Sequence, residues 1–279
     1  AVEKLFQIAG YAGASLPSDC NLGVAAHSLR AVDPEGLRFA ESLVPDSVIH
    51  IHVAEQPKEI EEFKSTFGVR PVDWLVDNMN IDEKWTIVHA THMTESETEK
   101  LANSKAVAGI CPITEANLGD GTFNGGTYYR NNGRFGVGSD ANILISLCEE
   151  LRALEYSQRL KTGGRNIFAN PNSSCGRQLY DNVTMGGAQS LNRNCGAIEE
   201  GKLADLLALD SDHVLLAGKS DDLILDSFVF CGTNSLVRDV WSAGRHVVSE
   251  GRHINREMLC TRFLKTVRKL REQARSPTH

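Results

Sequence analysis

Histidines and carboxylates follow three separate apolar runs of this 279-residue chain. His52 and Glu55 end the run "VIHIHVA", His89 closes "WTIVHA", and Asp140 ends "GVGSD". Imidazole and carboxylate groups are both zinc ligands. A further carboxylate near a metal can carry a proton from water to a leaving group. Together the four residues predict a hydrolytic metal site.

Three of these four residues also have an ordinary structural interpretation. His52 and Glu55 could be a hydrogen-bonded strand-end histidine and a solvated glutamate, and Asp140 could cap the next helix or turn. His50 shares the face of His52, because strand side chains alternate, and so either supports the site or packs inside the fold. His92 follows in a loop, where a solvated side chain is usual.

The elements that must position these residues alternate along the chain. Most of the short apolar runs precede a helical stretch, and this alternation indicates βα units and a parallel sheet. In a (β/α)8 barrel the carboxyl ends of the strands carry the active site. An open doubly wound sheet also binds ligands there, so the position of the polar residues does not distinguish the two folds. The runs lie at 22–26, 48–54, 85–90, 106–111 and 134–139.

Helix start signals support the alternation. Asp33 and Pro34 are typical of a cap and a first-turn proline. "TESE" at 94–97 and "SLCE" at 146–149 are predicted capping boxes. A helix is predicted at about 146–162, and a short helix is predicted near 183–191.

The pattern changes after residue 195. Strands are predicted at 204–210, 226–231 and within 237–254, with a tight turn at 242–244, and a helix at 256–275. We therefore expect a partial barrel at 1–195, part of a β-sandwich at 196–255, and a C-terminal helix and tail at 256–279.

Composition excludes several classes of protein. The net charge of −7 argues against a nucleic-acid partner, and no apolar run is long enough for a membrane span. The seven cysteines are scattered without a CxxC pair. This argues against a disulfide scaffold or a thiolate zinc cluster and favours the reducing cytoplasm.

The motifs resemble the amidohydrolase superfamily of metal-dependent (β/α)8 barrels. "HVAE" (52–55), "VHATH" (88–92) and "GSD" (138–140) match in order and spacing, and "GAIEEGKLADLLALD" resembles its return to a small β-sandwich. The resemblance implies one zinc ion held by His52, Asp140 and an HxH motif. It further implies that Asp140 or Glu55 takes a proton from the water and that Glu55 delivers one to the departing ammonia. His89 would orient the attacking hydroxide or stabilise the tetrahedral intermediate.

Other motifs resemble the N-formimino-L-glutamate deiminases of histidine degradation. These are "GVAAHSLRAV" (23–32), "HIHVAEQ" (50–56) and "CPITEANLGDGTF" (111–123). The resemblance implies that His27 and Arg30 bind a substrate carboxylate, which suits the guanidinium fork. By itself Arg30 would equally suit a surface salt bridge. The implied reaction yields N-formyl-L-glutamate and ammonia, and a homodimer is expected.

The sequence departs from the superfamily at one motif. The HxH of strand one is missing, since the sole HxH, His50–His52, lies at the fifth-strand position. The expected fold is therefore α/β, the C-terminal part of the barrel (strands four to eight) with part of the β-sandwich. Two alternatives are a deaminase of guanine or aminopurine nucleosides and a catalytically incomplete fragment.

Overall fold

The computed structural model describes residues 2–43 and 46–275, in which helices and strands alternate. The strands are β1 Val24–Ser28, β2 Ile49–Val53, β3 Trp85–His89, β4 Val107–Ile110, β5 Arg134–Val137, β6 Leu206–Leu209, β7 Val237–Ser242, β8 Arg245–Ser249 and β9 Arg252–His253. The helices are α1 Val2–Ser15, α2 Pro34–Leu43, α3 Pro57–Phe67, α4 Pro71–Asn78, α5 Glu95–Asn103, α6 Pro112–Leu118, α7 Gly125–Arg130, α8 Leu147–Thr162, α9 Cys175–Ser190, α10 Asp222–Phe230 and α11 Arg256–Arg275. Short 3-10 turns cover Val214–Leu216 and Asn234–Leu236.

The first five strands form one parallel sheet in the order β1-β2-β3-β4-β5. Every strand pairs with its neighbour in the sequence, and each pair is parallel. The predicted α/β class and the five predicted strands are confirmed. The identification of these strands as numbers four to eight of a barrel stays a prediction.

One face of this sheet holds the apolar core. A row of buried residues crosses all five strands in register: Ala26, Ile51, Ile87, Ala108 and Phe135, each at most 6% exposed. Helical side chains such as Leu37, Leu75, Leu101 and Leu151 join the same cluster. Burial of each large apolar side chain stabilises the fold by about 1.5–3 kcal/mol, so this face fixes the sheet beneath the site.

The opposite face contacts helix α9 near the amino ends of the strands. Thr86 of β3 donates a hydrogen bond to the hydroxyl of Ser190 at the end of α9 (2.9 Å). At Gly186 the helix approaches β5 so closely that a Cβ atom would lie 2.1 Å from the carbonyl oxygen of Phe135. Only glycine permits this approach. The carboxyl ends of the strands on this face are left for the candidate site.

Two predicted elements differ in the structure. The stretch 226–231 is predicted as a strand, but residues 226–230 belong to helix α10, with Phe228 and Val229 buried. A short apolar run suits a buried strand and a buried helix equally, so periodicity did not separate them. Helix α9 begins at Cys175, earlier than the predicted start at 183.

One of the two predicted capping boxes is present. Thr94 and Glu97 exchange both capping hydrogen bonds at the start of α5. Ser146 precedes α8 without a side-chain cap bond, so the second capping box was wrong. Its hydroxyl lies 3.2 Å from the sulfur of Cys148 instead.

The last four strands form an antiparallel sheet in the order β6-β7-β8-β9. The predicted turn between β7 and β8 is present, with Ala243 and Gly244 both at positive φ (46° and 78°). The helix predicted at 256–275 is α11. In the described residues no helix is both long and apolar enough to cross a membrane. The predicted boundaries of the three regions remain predictions.

Candidate active site

Three histidine rings lie in a row at the carboxyl ends of neighbouring strands. The ring centroids of His27 and His52 are 5.4 Å apart, and those of His52 and His89 are 5.5 Å apart. They come from β1, β2 and β3 in turn. The parallel sheet therefore brings together residues that are far apart in the sequence.

His52 is held by one ring nitrogen. Its Nδ1 atom lies 2.7 Å from the carbonyl oxygen of His27. Because a carbonyl can only accept, Nδ1 carries the proton and Nε2 presents a lone pair when the ring is neutral. A second partner that fixes the tautomer in this way is typical of metal-binding histidines.

His50 lies on the same face but has a different neighbour. Its Nε2 atom lies 2.8 Å from the carbonyl oxygen of Ser190. This bond ties the amino half of β2 to α9. Of the two predicted possibilities for His50, packing inside the fold is the one observed.

His89 ends β3 on a left-handed backbone, with φ of 67° there and 49° at Ala90. Such conformations cost about 1–3 kcal/mol and cluster at functional sites. The ring is 2% exposed. Its Nδ1 atom lies 3.2 Å from Oε1 of Glu115, and its Nε2 atom lies 3.7 Å from Oε1 of Glu55.

The surroundings of His89 act on its pKa in opposite directions. Burial lowers the pKa, but the hydrogen bond to Glu115 and the charges of Glu55, Glu115 and Asp140 outweigh burial. The pKa of His89 is therefore raised above its usual value of 6.5. These neighbouring carboxylates favour the protonated form of the ring.

Glu55 is positioned by another glutamate. The buried carboxylate of Glu59, at the start of α3, accepts hydrogen bonds from the backbone N–H groups of Ala54 (3.1 Å) and Glu55 (3.0 Å). Ala54 has a left-handed backbone (φ 57°). These bonds fix the turn that carries the half-buried Glu55 side chain toward His89.

The predicted substrate residues lie at the rim of the same cluster. His27 is exposed, and its Nδ1 atom lies 2.9 Å from the Ser28 hydroxyl. The guanidinium of Arg30 lies 4.0 Å from one carboxylate oxygen each of Glu55 and Glu59, with 38% of its side chain exposed. These separations exceed hydrogen-bonding distance, so the guanidinium fork is open to a further anion.

Asp140 lies in the loop after β5 with a left-handed backbone (φ 40°) and is exposed. Thr114 of α6 holds this loop by accepting the backbone N–H of Ala141 (3.2 Å). The predicted capping role in the next helix is not seen, because the N-cap of α8 is Ser146. The charge of Asp140 contributes to the raised pKa of both His89 and Glu150.

The sequence analysis missed three buried glutamates. Glu59, Glu115 and Glu150 lie on helices and are at most 4% exposed. Burial, with smaller contributions from the charges of Glu115 and Asp140, raises the pKa of Glu150 to about 7. Glu59 was detectable, since a glutamate at the third position of a helix commonly reaches back to the preceding backbone.

The surroundings of the His92 side chain also differ from the prediction. Its side chain is half-buried, and its Nε2 atom lies 2.6 Å from the carbonyl oxygen of Asp120. The expected solvated loop histidine is therefore wrong. His92 braces two loops beside the site.

The described residues fit a zinc ion only in part. His52 offers a free Nε2 atom and Asp140 a carboxylate, both donor types that zinc uses. Over residues 2–43 and 46–275 there is no group of three or more candidate ligands that could hold a metal. Because protein zinc sites use at least three protein ligands, these two residues do not make a complete site.

Comparison with known proteins identifies the family. The amidohydrolase family model matches residues 21–247. The chain is 42% identical over 252 residues to a formimidoylglutamate deiminase of Pseudomonas aeruginosa, covering 90% of this chain and 56% of that protein. The chain therefore spans only about half the length of this curated relative.

Solved structures show the same fold. An amidohydrolase of Brucella melitensis superimposes with a TM-score of 0.91 and 41% identity, over 96% of this chain and 60% of that one. An adenosine deaminase of Xanthomonas campestris with bound zinc has a TM-score of 0.85 at 20% identity, over 98% of this chain and 62% of that one; it supports the fold alone. With most of its length matched by the family model, the chain belongs to the amidohydrolase family.

Proposed function

We propose that this chain is part of an enzyme that hydrolyses N-formimino-L-glutamate to N-formyl-L-glutamate and ammonia. In this proposal β1 to β5 are strands four to eight of a (β/α)8 barrel, and β6 to β9 belong to a β-sandwich. The similarity to the Pseudomonas aeruginosa deiminase supports the choice of substrate.

The juxtaposition of Glu55 and His89 carries the proposal. The 3.7 Å separation between Oε1 of Glu55 and Nε2 of His89 places a carboxylate and an imidazole around one point, and the His52 ring lies beside them. A hydrolytic deimination needs such groups, because protons must leave the attacking water and reach the departing nitrogen.

The metal would be held by His52 and Asp140 together with ligands from outside the described residues. When bound, zinc makes a water molecule nucleophilic near neutral pH. The Nδ1 bond to the carbonyl of His27 aims His52 for this role, and the exposed carboxylate of Asp140 is accessible for it.

Glu55 would transfer the protons. The water oxygen adds to the formimino carbon, and the bond from that carbon to its terminal nitrogen breaks. Glu55 takes the two protons of the water in turn, one as the oxygen adds to the carbon and one as the formyl C=O forms. It delivers both to the terminal nitrogen, which leaves as ammonia. His89, with its raised pKa, donates a hydrogen bond to the oxygen that adds to the carbon, which stabilises the charge developing there.

Arg30 and His27 would bind the glutamate portion of the substrate. That portion carries two carboxylates, and an exposed guanidinium fork binds a carboxylate through two parallel hydrogen bonds. The long contacts of Arg30 to Glu55 and Glu59 leave this fork available. Its nearness to Glu55 would place the substrate beside the proton-transfer group.

One observation favours the alternative that the chain is catalytically incomplete by itself. The described residues supply only two of the proposed ligands, and no group of three or more candidate ligands is found there. We therefore propose that activity requires further residues that complete the metal site.

Ammonia release from N-formimino-L-glutamate and from guanine tests the function in the metal-complete protein that contains this chain. Turnover of N-formimino-L-glutamate alone is the expected result. Turnover of guanine alone would contradict the proposal and favour a purine deaminase. The Asp140→Asn variant is the control for background hydrolysis and should be inactive toward either compound.

A further inference from the structure

Glu115 lies against the ring nitrogen of His89 that faces away from Glu55. It comes from α6, within the motif "CPITEANLGDGTF", and is 4% exposed. Its Oε1 atom lies 3.2 Å from Nδ1 of His89. Glu115 thus contacts His89, a residue of the proposed reaction centre, on the side of the ring opposite to Glu55.

A second donor fixes the role of this oxygen. The backbone N–H of Cys111 donates to the same Oε1 atom at 2.8 Å. Cys111 precedes α6 and makes no side-chain cap bond of its own, so the glutamate satisfies a helix-start N–H that would otherwise lack a partner. An acceptor is therefore required at this position independently of His89.

An obligatory acceptor determines the tautomer of His89. The neutral imidazole has one N–H and one lone pair. Since Oε1 must accept, the proton of the neutral ring resides on Nδ1. Nε2, which faces Glu55, takes the second proton when the ring is charged and can then donate to the oxygen that adds to the carbon. The backbone at His89 and Ala90 is left-handed and therefore strained. The hydrogen bond to Glu115 helps to hold the ring in this position.

We propose that Glu115 is the positioning residue that fixes the tautomer and orientation of His89, so that Nε2 is presented to the substrate. For its activity readout this inference rests on the proposed deiminase function. The tautomer itself can be observed without turnover, so the two proposals can fail separately.

Nitrogen-15 NMR of the imidazole rings in this chain tests the tautomer, at a pH where His89 is neutral. The His89 signal is assigned by its loss in His89→Gln. We expect a protonated Nδ1 and a bare Nε2 in the unaltered chain; the opposite pattern would overturn the proposal without any Glu115 variant.

Two substitutions at Glu115 test whether His89 needs a hydrogen-bond acceptor there or only a side chain of similar size. In Glu115→Gln the amide oxygen should take the Oε1 position, because Cys111 N–H still requires an acceptor, and the Nδ1–H tautomer should persist. In Glu115→Leu that acceptor is lost, and the His89 signals should shift toward the Nε2–H form. An unchanged tautomer in Glu115→Leu would refute the assignment. Glu155→Gln, which removes a buried carboxylate bound to Arg159 on α8, should leave the His89 signals unchanged.

Steady-state kinetics in the metal-complete protein give a second readout. Glu115→Leu should lower kcat by about 100-fold, within the range for losing an acid–base group, with little change in KM and in bound zinc. Glu115→Gln should recover most of that loss. Equal losses in both variants would indicate a purely structural role. If the unaltered protein does not turn over N-formimino-L-glutamate, the proposed function fails, whereas the NMR result still decides the role of Glu115.

Discussion

Oε1 of Glu55 lies 3.7 Å from Nε2 of His89, although Glu55 lies in the turn after β2 and His89 ends β3. The turn after β2 bends Glu55 toward the neighbouring strand, and the left-handed backbone of His89 brings its ring to meet it. A carboxylate and an imidazole so placed can share the protons of a reacting water.

Replacing Glu55 by Gln should abolish ammonia release in the metal-complete protein. Gln keeps the size of the side chain but cannot carry a proton, and loss of such a group lowers rates by about 10²–10⁴-fold. Bound zinc should be retained, because Glu55 is not a proposed ligand. Exposed Glu61 on the following helix provides the control, and Glu61→Gln should keep full turnover. Retained turnover in Glu55→Gln would refute the shuttle role.

The purified chain by itself should hold zinc weakly. His52 and Asp140 supply fewer ligands than the three or four that a protein zinc site uses. Elemental analysis after dialysis should find well under one zinc per chain. His246→Gln is the control for adventitious binding, since exposed His246 pairs with Asp239 on the antiparallel sheet. One tightly held zinc per chain that is lost only in His52→Gln would contradict the prediction.

The sheet is predictable from the sequence, and the reason is physical. Each of the five strands is a short apolar run, as buried parallel strands require, and the polar residues that follow mark their carboxyl ends. The residues His52, Glu55 and His89 could therefore be placed near one another before the structure was known. The helix at 222–230 could not be assigned, because a short apolar run fits both a buried strand and a buried helix.

The supporting glutamates were less accessible to sequence reasoning. A glutamate on a helix is normally solvated, and the burial of Glu115 depends on where α6 packs against His89. That packing is tertiary, so no local pattern indicates it. The left-handed backbone at His89 is equally invisible in the sequence "VHATH".

Arg30→Gln should raise KM for N-formimino-L-glutamate while kcat changes little. The guanidinium is proposed to bind a carboxylate that does not react, and loss of uniform binding raises KM alone. A hydrogen bond to a charged group contributes about 1.5–3 kcal/mol, which corresponds to a KM increase of about 10- to 100-fold. Arg38→Gln, at an exposed arginine of α2, is the matched control and should leave KM unchanged. An unchanged KM in Arg30→Gln would indicate only a surface salt bridge.

Glu150 should make the chain less stable as the pH rises. Burial raises its pKa from 4.5 to about 7, and its Oε1 atom has no hydrogen-bond partner within the described residues. Between these values the folded chain keeps a proton that the unfolded chain has lost. The stabilisation is therefore complete below about pH 4.5 and is lost as the pH rises through about 7.

Urea unfolding of Glu150→Gln across this range tests the prediction. Gln cannot ionise, so at pH 8 the variant should be more stable than the unaltered chain by about 1–3 kcal/mol. Near pH 4 the two should differ little. Glu62→Gln, at an exposed glutamate of α3, should keep the original pH dependence. If Glu150→Gln kept the pH dependence of the unaltered chain, another titrating group would be responsible for that dependence.

The adjacent glycines of α9 should respond oppositely to the same substitution. A Cβ atom at Gly186 would lie 2.1 Å from the carbonyl oxygen of Phe135, whereas a Cβ atom at Gly187 would meet nothing within 4 Å. Gly186→Ala must push α9 away from β5, and overpacking of this kind costs about 1–3 kcal/mol. Gly187→Ala should be neutral or stabilising by up to about 1 kcal/mol, because alanine has a higher helix propensity than glycine.

Urea unfolding of both variants measures the difference in stability. Equal stabilities would show that α9 does not depend on close contact with β5. A destabilised Gly186→Ala would also disturb the bond from His50 to Ser190, which links this helix to the strand that carries His52.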